Sequence, residues 1–233
     1  MQKIEIIPAI LEQSLDEIAA RLESIQGAAR SVQIDVVDGG YAPNRTWPYA
    51  EKSQQAEFAR IVAQDEGFPL WEDFDFEIDL MVAHPERVVL DWVEAGALRI
   101  IVHANSVGSL DALQKLSTFR GGDFGVAVGV ALSCTDTSDT LEPFSGLYDF
   151  VQVMGVEKIG FQGRGFDARA LTLLRALKEK YPGLQLQIDG GVGHNHLLDC
   201  VEAGAVRITS GSAIFGNDDP RRSLRELRDI LKA

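Results

Sequence analysis

The carboxylates beside glycine turns are the residues of this chain best placed to do chemistry. Asp38-Gly39-Gly40 follows the strand-like segment SVQIDVV, and Asp189-Gly190-Gly191 follows LQLQI. In Ser31–Val37, Val32, Ile34 and Val36 alternate with Gln33, Asp35 and Val37, so Gln33 and Asp35 share one face. In an open sandwich that face would be solvated, whereas in a parallel barrel it would point to the interior. Carboxylates brought together by two strand ends suggest a two-base site. Asp-Gly-Gly also serves as a plain turn, which is the purely structural reading of the same pattern. Glycine-rich segments supply a second chemistry, because exposed backbone N–H groups and a helix N-terminus suit a phosphate. Three such segments stand out: Gly160 to Arg164, Asp189-Gly190-Gly191, and Gly211-Ser212-Ala213.

Eight strands alternating with helices would have to position these residues. The strands are read at 3–8, 31–37, 76–82, 98–103, 124–130, 148–154, 184–189 and 206–210, with Pro8 ending the first. Helices are read after Ser14, whose Ser-Leu-Asp-Glu is a capping box, at 50–64, from Pro85, at 109–119 with Ser109 as its cap, at 167–180 and 195–203, and from Pro220 to Leu231. Residues 135–144 read as a weak helix, and 41–48 and 65–75 as loops. Alternating βα units point to a parallel sheet, and eight of them in this length point to a closed (β/α)8 TIM barrel forming one domain over 1–233. Val93–Ile100 (VEAGALRI) nearly repeats as Val201–Ile208 (VEAGAVRI), as two similar half-barrels would require. In such barrels chemistry occurs at the C-terminal strand ends, with phosphate near strands seven and eight.

The chain has 233 residues, 45% of them hydrophobic, and a net charge of −13. That acidity argues against a nucleic-acid surface and fits a soluble cytoplasmic protein. No apolar run reaches the length of a membrane span. Cys134 and Cys200 read as reduced, small apolar residues. Trp47, Trp71 and Trp92 read most simply as packing residues, with a pocket cover or an oligomer contact as the alternative for Trp47. His103 would face the site, while His84, His194 and His196 would lie at the surface.

The residues also resemble the ribulose-phosphate 3-epimerase family. The matching segments are Pro8-Ala9-Ile10-Leu11, Ile34-Asp35-Val36-Val37-Asp38-Gly39 with Pro43-Asn44 and Thr46, Leu80-Met81-Val82 with Pro85-Glu86, and Val102-His103-Ala104. They continue with Gly160-Phe161, Asp189-Gly190-Gly191-Val192 and Gly211-Ser212-Ala213-Ile214-Phe215. The resemblance implies a ribulose-phosphate-binding (β/α)8 barrel, and an isomerase that interconverts D-ribulose 5-phosphate and D-xylulose 5-phosphate. It implies that Asp35 and Asp189 are the catalytic acid and base. Phosphate binding falls to Gly160, Gly163, Arg164, Gly190, Gly191, Gly211 and Ser212.

The resemblance also carries a metal set of two histidines and two aspartates. Here Gln33 and Asp79 stand at the histidine positions, giving Gln33, Asp35, Asp79 and Asp189. Oxygen ligands suit Mg²⁺ or Mn²⁺ better than Zn²⁺, and the alternative is that no metal binds. Without a cation, crowding of three carboxylates should raise at least one pKa. Ala9, Val37, Gln162 and Arg164 depart from the family's serine, methionine, glycine and glutamine. Two alternatives follow: an epimerase or isomerase for another sugar phosphate, or a non-catalytic phosphosugar-binding relative. The partner in each case is a small sugar phosphate, with room for a homo-oligomer.

Overall fold

The computed structural model describes residues 4–121 and 125–232. Lys3 and Phe124, read above as starts of the first and fifth strands, lie outside the described residues. The strands are β1 (Glu5–Ile10), β2 (Ser31–Val37), β3 (Asp75–Met81), β4 (Arg99–His103), β5 (Ala127–Leu132), β6 (Phe150–Met154), β7 (Gln185–Asp189) and β8 (Arg207–Ser210). They pair in sequence order, all parallel, and β8 returns to β1 to close the barrel. The helices are α1 (Leu15–Ile25), α2 (Gln54–Val62), α3 (Val89–Glu94), α4 (Ser109–Ser117), α5 (Arg169–Lys180), α6 (Leu197–Ala203), α7 (Ser212–Phe215) and α8 (Pro220–Ile230).

The two faces of the strands bury opposite chemistries. Val32, Ile34 and Val36 join Ile78, Leu80, Ile100, Val102, Val151, Val153, Ile188 and Ile208 in one apolar layer against the helices. The inner wall instead holds Gln33, Asp35, Glu77, Asp79, Gln152, Gln187, Arg207 and Thr209, all buried. Alternation along each strand therefore sorts side chains by layer, as the period of two requires.

Several local features differ from the sequence reading. β1 runs through Pro8 to Ile10, because Pro8 pairs with Ser210 at the end of the β8 ladder while pairing with β2 begins only at Ala9. A proline at such a changeover interrupts little of either ladder. Pro85–Arg87 forms a short 3₁₀ turn before α3, and Ser138–Phe144 is a 3₁₀ helix containing Pro143. Ser14 caps α1 as expected, accepting from Glu17 N, while the Glu17 carboxylate reaches back to Gln13 N rather than to Ser14. Gly108, not Ser109, occupies the cap of α4, and the Ser109 hydroxyl donates to the Ala104 carbonyl.

Trp47 is a packing residue, as its simplest reading holds, and not a cover. It is fully buried, edge-on to Phe58, Phe68 and Trp92, and its indole N–H donates to Glu57. Trp71 is 60% exposed, so it is not a core packing residue. Cys134 and Cys200 are both buried thiols. No helix among the described residues is long and apolar enough to cross a membrane.

The aromatic cluster outside β2 and β3 should carry much of the stability. Trp92→Ala should cost about 3–5 kcal/mol by opening a cavity among Trp47 and Phe58, seen in urea as a lower midpoint with an unchanged slope. Trp92→Phe, which keeps a ring and removes an indole N–H that has no partner among the described residues, should cost clearly less.

Candidate active site

β2 ends in a Val37-Asp38-Gly39 corner that separates a turn carboxylate from an inward-facing one. Asp38 turns back on the chain: one oxygen accepts from Gly40 and Tyr41 N–H, and the other from Ala83 N–H. It is a turn residue, as the structural reading of Asp-Gly-Gly holds. Asp35, three residues earlier on the inner face, pairs in register with Asp79 of β3. Asp189 ends β7 opposite Met154 and Thr209. Among the described residues Asp35, Asp79 and Asp189 form one buried cluster, with a carboxylate oxygen from each within 4.8 Å of the others.

Each carboxylate in the cluster has assigned donors. Gln33 Nε2 donates to Asp35 Oδ1 at 2.7 Å and to Asp189 Oδ2 at 2.9 Å, tying the two together. Asp79 sits deeper, its oxygens 3.0 Å from His103 Nε2 and 3.0 Å from Gln152 Nε2. His103 thus faces the site through Asp79, and the Tyr41 ring lies 5.1 Å from it. Burial pushes the Tyr41 phenol up to about 12. His194 is exposed and His84 and His196 are only partly buried, on loops away from the cluster. Gln152, not picked out from the sequence, had a visible signal: it falls on the inner face of YDFVQVM by strict alternation.

Crowding shifts the acids as expected. Burial, then the Asp189 and Asp79 charges, raise the Asp35 carboxyl well above the usual range. Burial and the Asp79 charge push Asp189 up to about 7, against the lowering effect of the Gln33 hydrogen bond. Both shifts favour the protonated form, as expected of close carboxylates in a low-dielectric site.

Above the aspartates lies a small cavity of about 40 Å³. Asp35 and Asp189 line it, together with Gly160, Gly163, Arg164, Gly190, Gly191, Gly211 and Ser212. All seven residues read as phosphate-binding thus converge with the two acids at one barrel mouth. Gly190 and Gly191 both have positive φ, 102° and 70°, and a Cβ on Gly191 would fall 2.8 Å from the Phe166 Cα. Only glycine fits there. Among the described residues no backbone oxygen accepts from the N–H of Gly191 or Gly211, which leaves them available to an anion. Gln162 reaches across from the loop after β6 and donates to the Ala9 carbonyl at 2.9 Å. Its amide lies directly over Gly211, where a Cβ would come within 2.3 Å of Nε2. Arg164 at the rim packs its guanidinium on Phe161, 5.0 Å from the ring centre.

Three buried carboxylates with oxygens this close fit a hard divalent cation, whose ligands are oxygens. Gln33 departs from the expected role at this point, since it turns its nitrogen, not its oxygen, toward the carboxylates.

Comparison with known proteins places the chain. The model of the Ribulose-phosphate 3 epimerase family matches residues 5–215. Ribulose-phosphate 3-epimerase from Aquifex aeolicus is 29% identical over 231 residues, which cover 97% of this chain and 96% of that protein. The enzyme of the same name from Eremothecium gossypii is 30% identical over 234 residues, covering 100% and 95%. Among solved structures, 3-hexulose-6-phosphate synthase from Salmonella typhimurium superposes with a TM-score of 0.68 at 16% identity, covering 98% of this chain and 99% of that one. KGPDC from Streptococcus mutans gives 0.69 at 14% identity, covering 99% and 98%. Those two share the barrel fold. The match of sequence along nearly the whole length goes further: this chain belongs to the ribulose-phosphate 3-epimerase family.

Proposed function

We propose that the chain is an isomerase that interconverts D-ribulose 5-phosphate and D-xylulose 5-phosphate by two-base proton transfer at C3. One observation carries the reading: Asp35 and Asp189 share a cavity with the glycine segments, and both are held above the ordinary carboxylate range. The C3 proton lies α to the C2 carbonyl. One carboxylate removes it, giving an enediolate, and the other, carrying the pair's proton, delivers one to the opposite face. Such a reaction needs one member ionised and the other protonated at working pH, and two acids that share a proton near neutrality meet that need. Gln33 uses only one oxygen of each acid, and the other accepts no hydrogen bond among the described residues.

Asp35, Asp79 and Asp189 would hold a divalent cation, which when bound stabilises negative charge on the substrate's oxygens. The phosphate is assigned to the backbone of Gly190, Gly191, Gly211 and Ser212, with Gly160, Gly163 and Arg164 closing over it. The activity would belong to one barrel domain acting in the cytoplasm. A second reading, an epimerase or isomerase for another sugar phosphate, is favoured by Gln162 and Arg164, whose side chains narrow the mouth where the family has smaller or neutral ones.

Incubation with D-ribulose 5-phosphate in deuterated water should place deuterium at C3. Asp35→Asn and Asp189→Asn should each lower that exchange by about 10²-fold or more, the usual size of an acid–base contribution. Absence of exchange across several phosphosugars and added metals would instead favour a non-catalytic binding protein.

Gly211→Asp adds a negative charge where the phosphate is assigned and should weaken sugar-phosphate binding by at least about tenfold, measured by calorimetry. Binding equal to wild type would move the phosphate elsewhere.

Metal selectivity gives a third measurement. Purified protein titrated at neutral pH should take up Mn²⁺ or Mg²⁺ in preference to Zn²⁺, and Asp79→Asn should weaken that uptake. Tight stoichiometric Zn²⁺ would overturn the all-oxygen site.

A further inference from the structure

The interior beneath the two acids is a continuous polar column. At its base Glu77 is paired to Arg99 at 2.7 Å and to Arg207 at 3.0 Å. These two arginines are equivalent positions of the internal repeat, the Arg of VEAGALRI and of VEAGAVRI, and each begins an inward-facing strand. Above them Gln187 is gripped from both ends. Its oxygen accepts from Arg207 Nε at 2.9 Å, and its nitrogen lies 2.5 Å from Glu77 Oε1 and 2.8 Å from Gln152 Oε1. The Gln33 oxygen comes next, 3.2 Å from Gln187 Nε2 and 3.4 Å from the Thr209 hydroxyl. Gln33, Glu77, Gln152, Gln187 and Thr209 are all fully buried, at 0% exposure.

This column has only one consistent direction. A guanidinium has no acceptor, and a carboxylate paired to two arginines has no hydrogen to give. Gln187 must therefore turn its oxygen to Arg207 and its nitrogen to Glu77. Its nitrogen then faces Gln33. A Gln33 amide rotated by half a turn would set NH₂ against NH₂, and would leave a buried carboxylate pair without its donor, an arrangement that costs far more than one hydrogen bond in a low dielectric. The two hydrogens of the Gln187 nitrogen go to the nearer Glu77 and Gln152 oxygens; toward Gln33 that nitrogen acts by opposing a second NH₂, while the Thr209 hydroxyl donates to the Gln33 oxygen and the Gln33 nitrogen donates to the acids.

We propose that Gln33 is a positioning residue held donor-side up by the Arg207–Glu77–Gln187 column, so that its amide nitrogen ties Asp35 to Asp189 and its oxygen is withheld from any cation in the cavity. For catalysis this rests on the two-base reading; for the orientation of the amide it does not. Gln33 then does with two hydrogens what a bridging cation would do with charge: it fixes the spacing of two acids that otherwise repel.

The decisive experiment follows the Gln33 side-chain amide in metal-free, ¹⁵N-labelled protein, its resonance identified by loss in Gln33→Glu. Both Nε2 protons should exchange slowly with solvent. Gln187→Leu should speed that exchange by at least about tenfold, one hydrogen bond's worth. Thr209→Val, a milder change, should give a smaller increase in the same direction. Freely exchanging Gln33 protons in wild type, or no response to either variant, would overturn the proposal. A second readout uses Mn²⁺ alone: Gln33→Leu should leave its affinity within about threefold of wild type, whereas Asp79→Asn should weaken it by about tenfold or more. A tenfold loss in Gln33→Leu would make the amide oxygen a ligand and overturn the proposal. In the C3 exchange assay Gln33→Leu should lower kcat by about tenfold with KM little changed, the mark of lost positioning rather than lost binding. A protected amide in a protein that exchanges no phosphosugar would sink the two-base reading and leave the orientation of Gln33 standing.

Discussion

Like-charge crowding inside a closed barrel is the constraint on which the rest of this structure depends. Three buried aspartates converge with an oxygen of each within 4.8 Å of the others. Left alone they would repel strongly, since the same low dielectric that makes a site reactive magnifies every charge. Two compensations are visible. The Asp35 and Asp189 carboxyls are shifted toward their protonated forms. Hydrogen-bond partners are aimed at every acid: Gln33 at two of them, and Gln152 and His103 at the third. The arginines that balance Glu77 stay one layer lower, below the reacting end.

That layering explains the internal repeat better than packing alone does. Both copies of VEAG end a helix in a glycine with positive φ, Gly96 and Gly204, and start a strand with an inward arginine. The two strands lie across the barrel from each other in sequence order. Arg99 and Arg207 therefore approach Glu77 from different sides, and Arg99 also lies 3.9 Å above the Phe150 ring. A buried ion cluster of this kind adds little net stability after desolvation, but it imposes geometry. Here the geometry it imposes is the direction of a hydrogen-bond chain.

The barrel was legible in the sequence because its signals are local. Val32-Ile34-Val36 against Gln33-Asp35 announces a two-faced strand, and eight such segments between helical patterns admit few other closures. The convergence of the glycine segments with Asp35 and Asp189 was legible for a related reason: parallel strands all deliver their C-terminal ends to one side. What escaped was set by contacts distant in the chain. Pro8 looked like a stop because its neighbours on β8 lie some two hundred positions away. Trp47 read as packing, but nothing local says that Phe58, Phe68 and Trp92 are what will enclose it. The face that Gln33 shows to the acids depends on Arg207, Glu77 and Gln187, which come from three other strands, and no window of sequence contains that information.

The two faces of the same strands also divide the labour between stability and chemistry. The apolar layer between strands and helices is continuous around the barrel, and burial of that area is the dominant favourable term in folding. The inner wall is thereby released from supplying it. An open sheet of the same strands would present the inner residues to water, where Asp35 and Asp189 would revert to ordinary ionised acids and Gln33 would exchange its bonds for solvent. Closure removes the water, raises the acids and makes one amide's orientation matter. Solved barrels with about one residue in six in common keep the shell, so the shell tolerates wide replacement. The proposed chemistry rests on the few inward side chains whose donors and acceptors must match one another across the barrel.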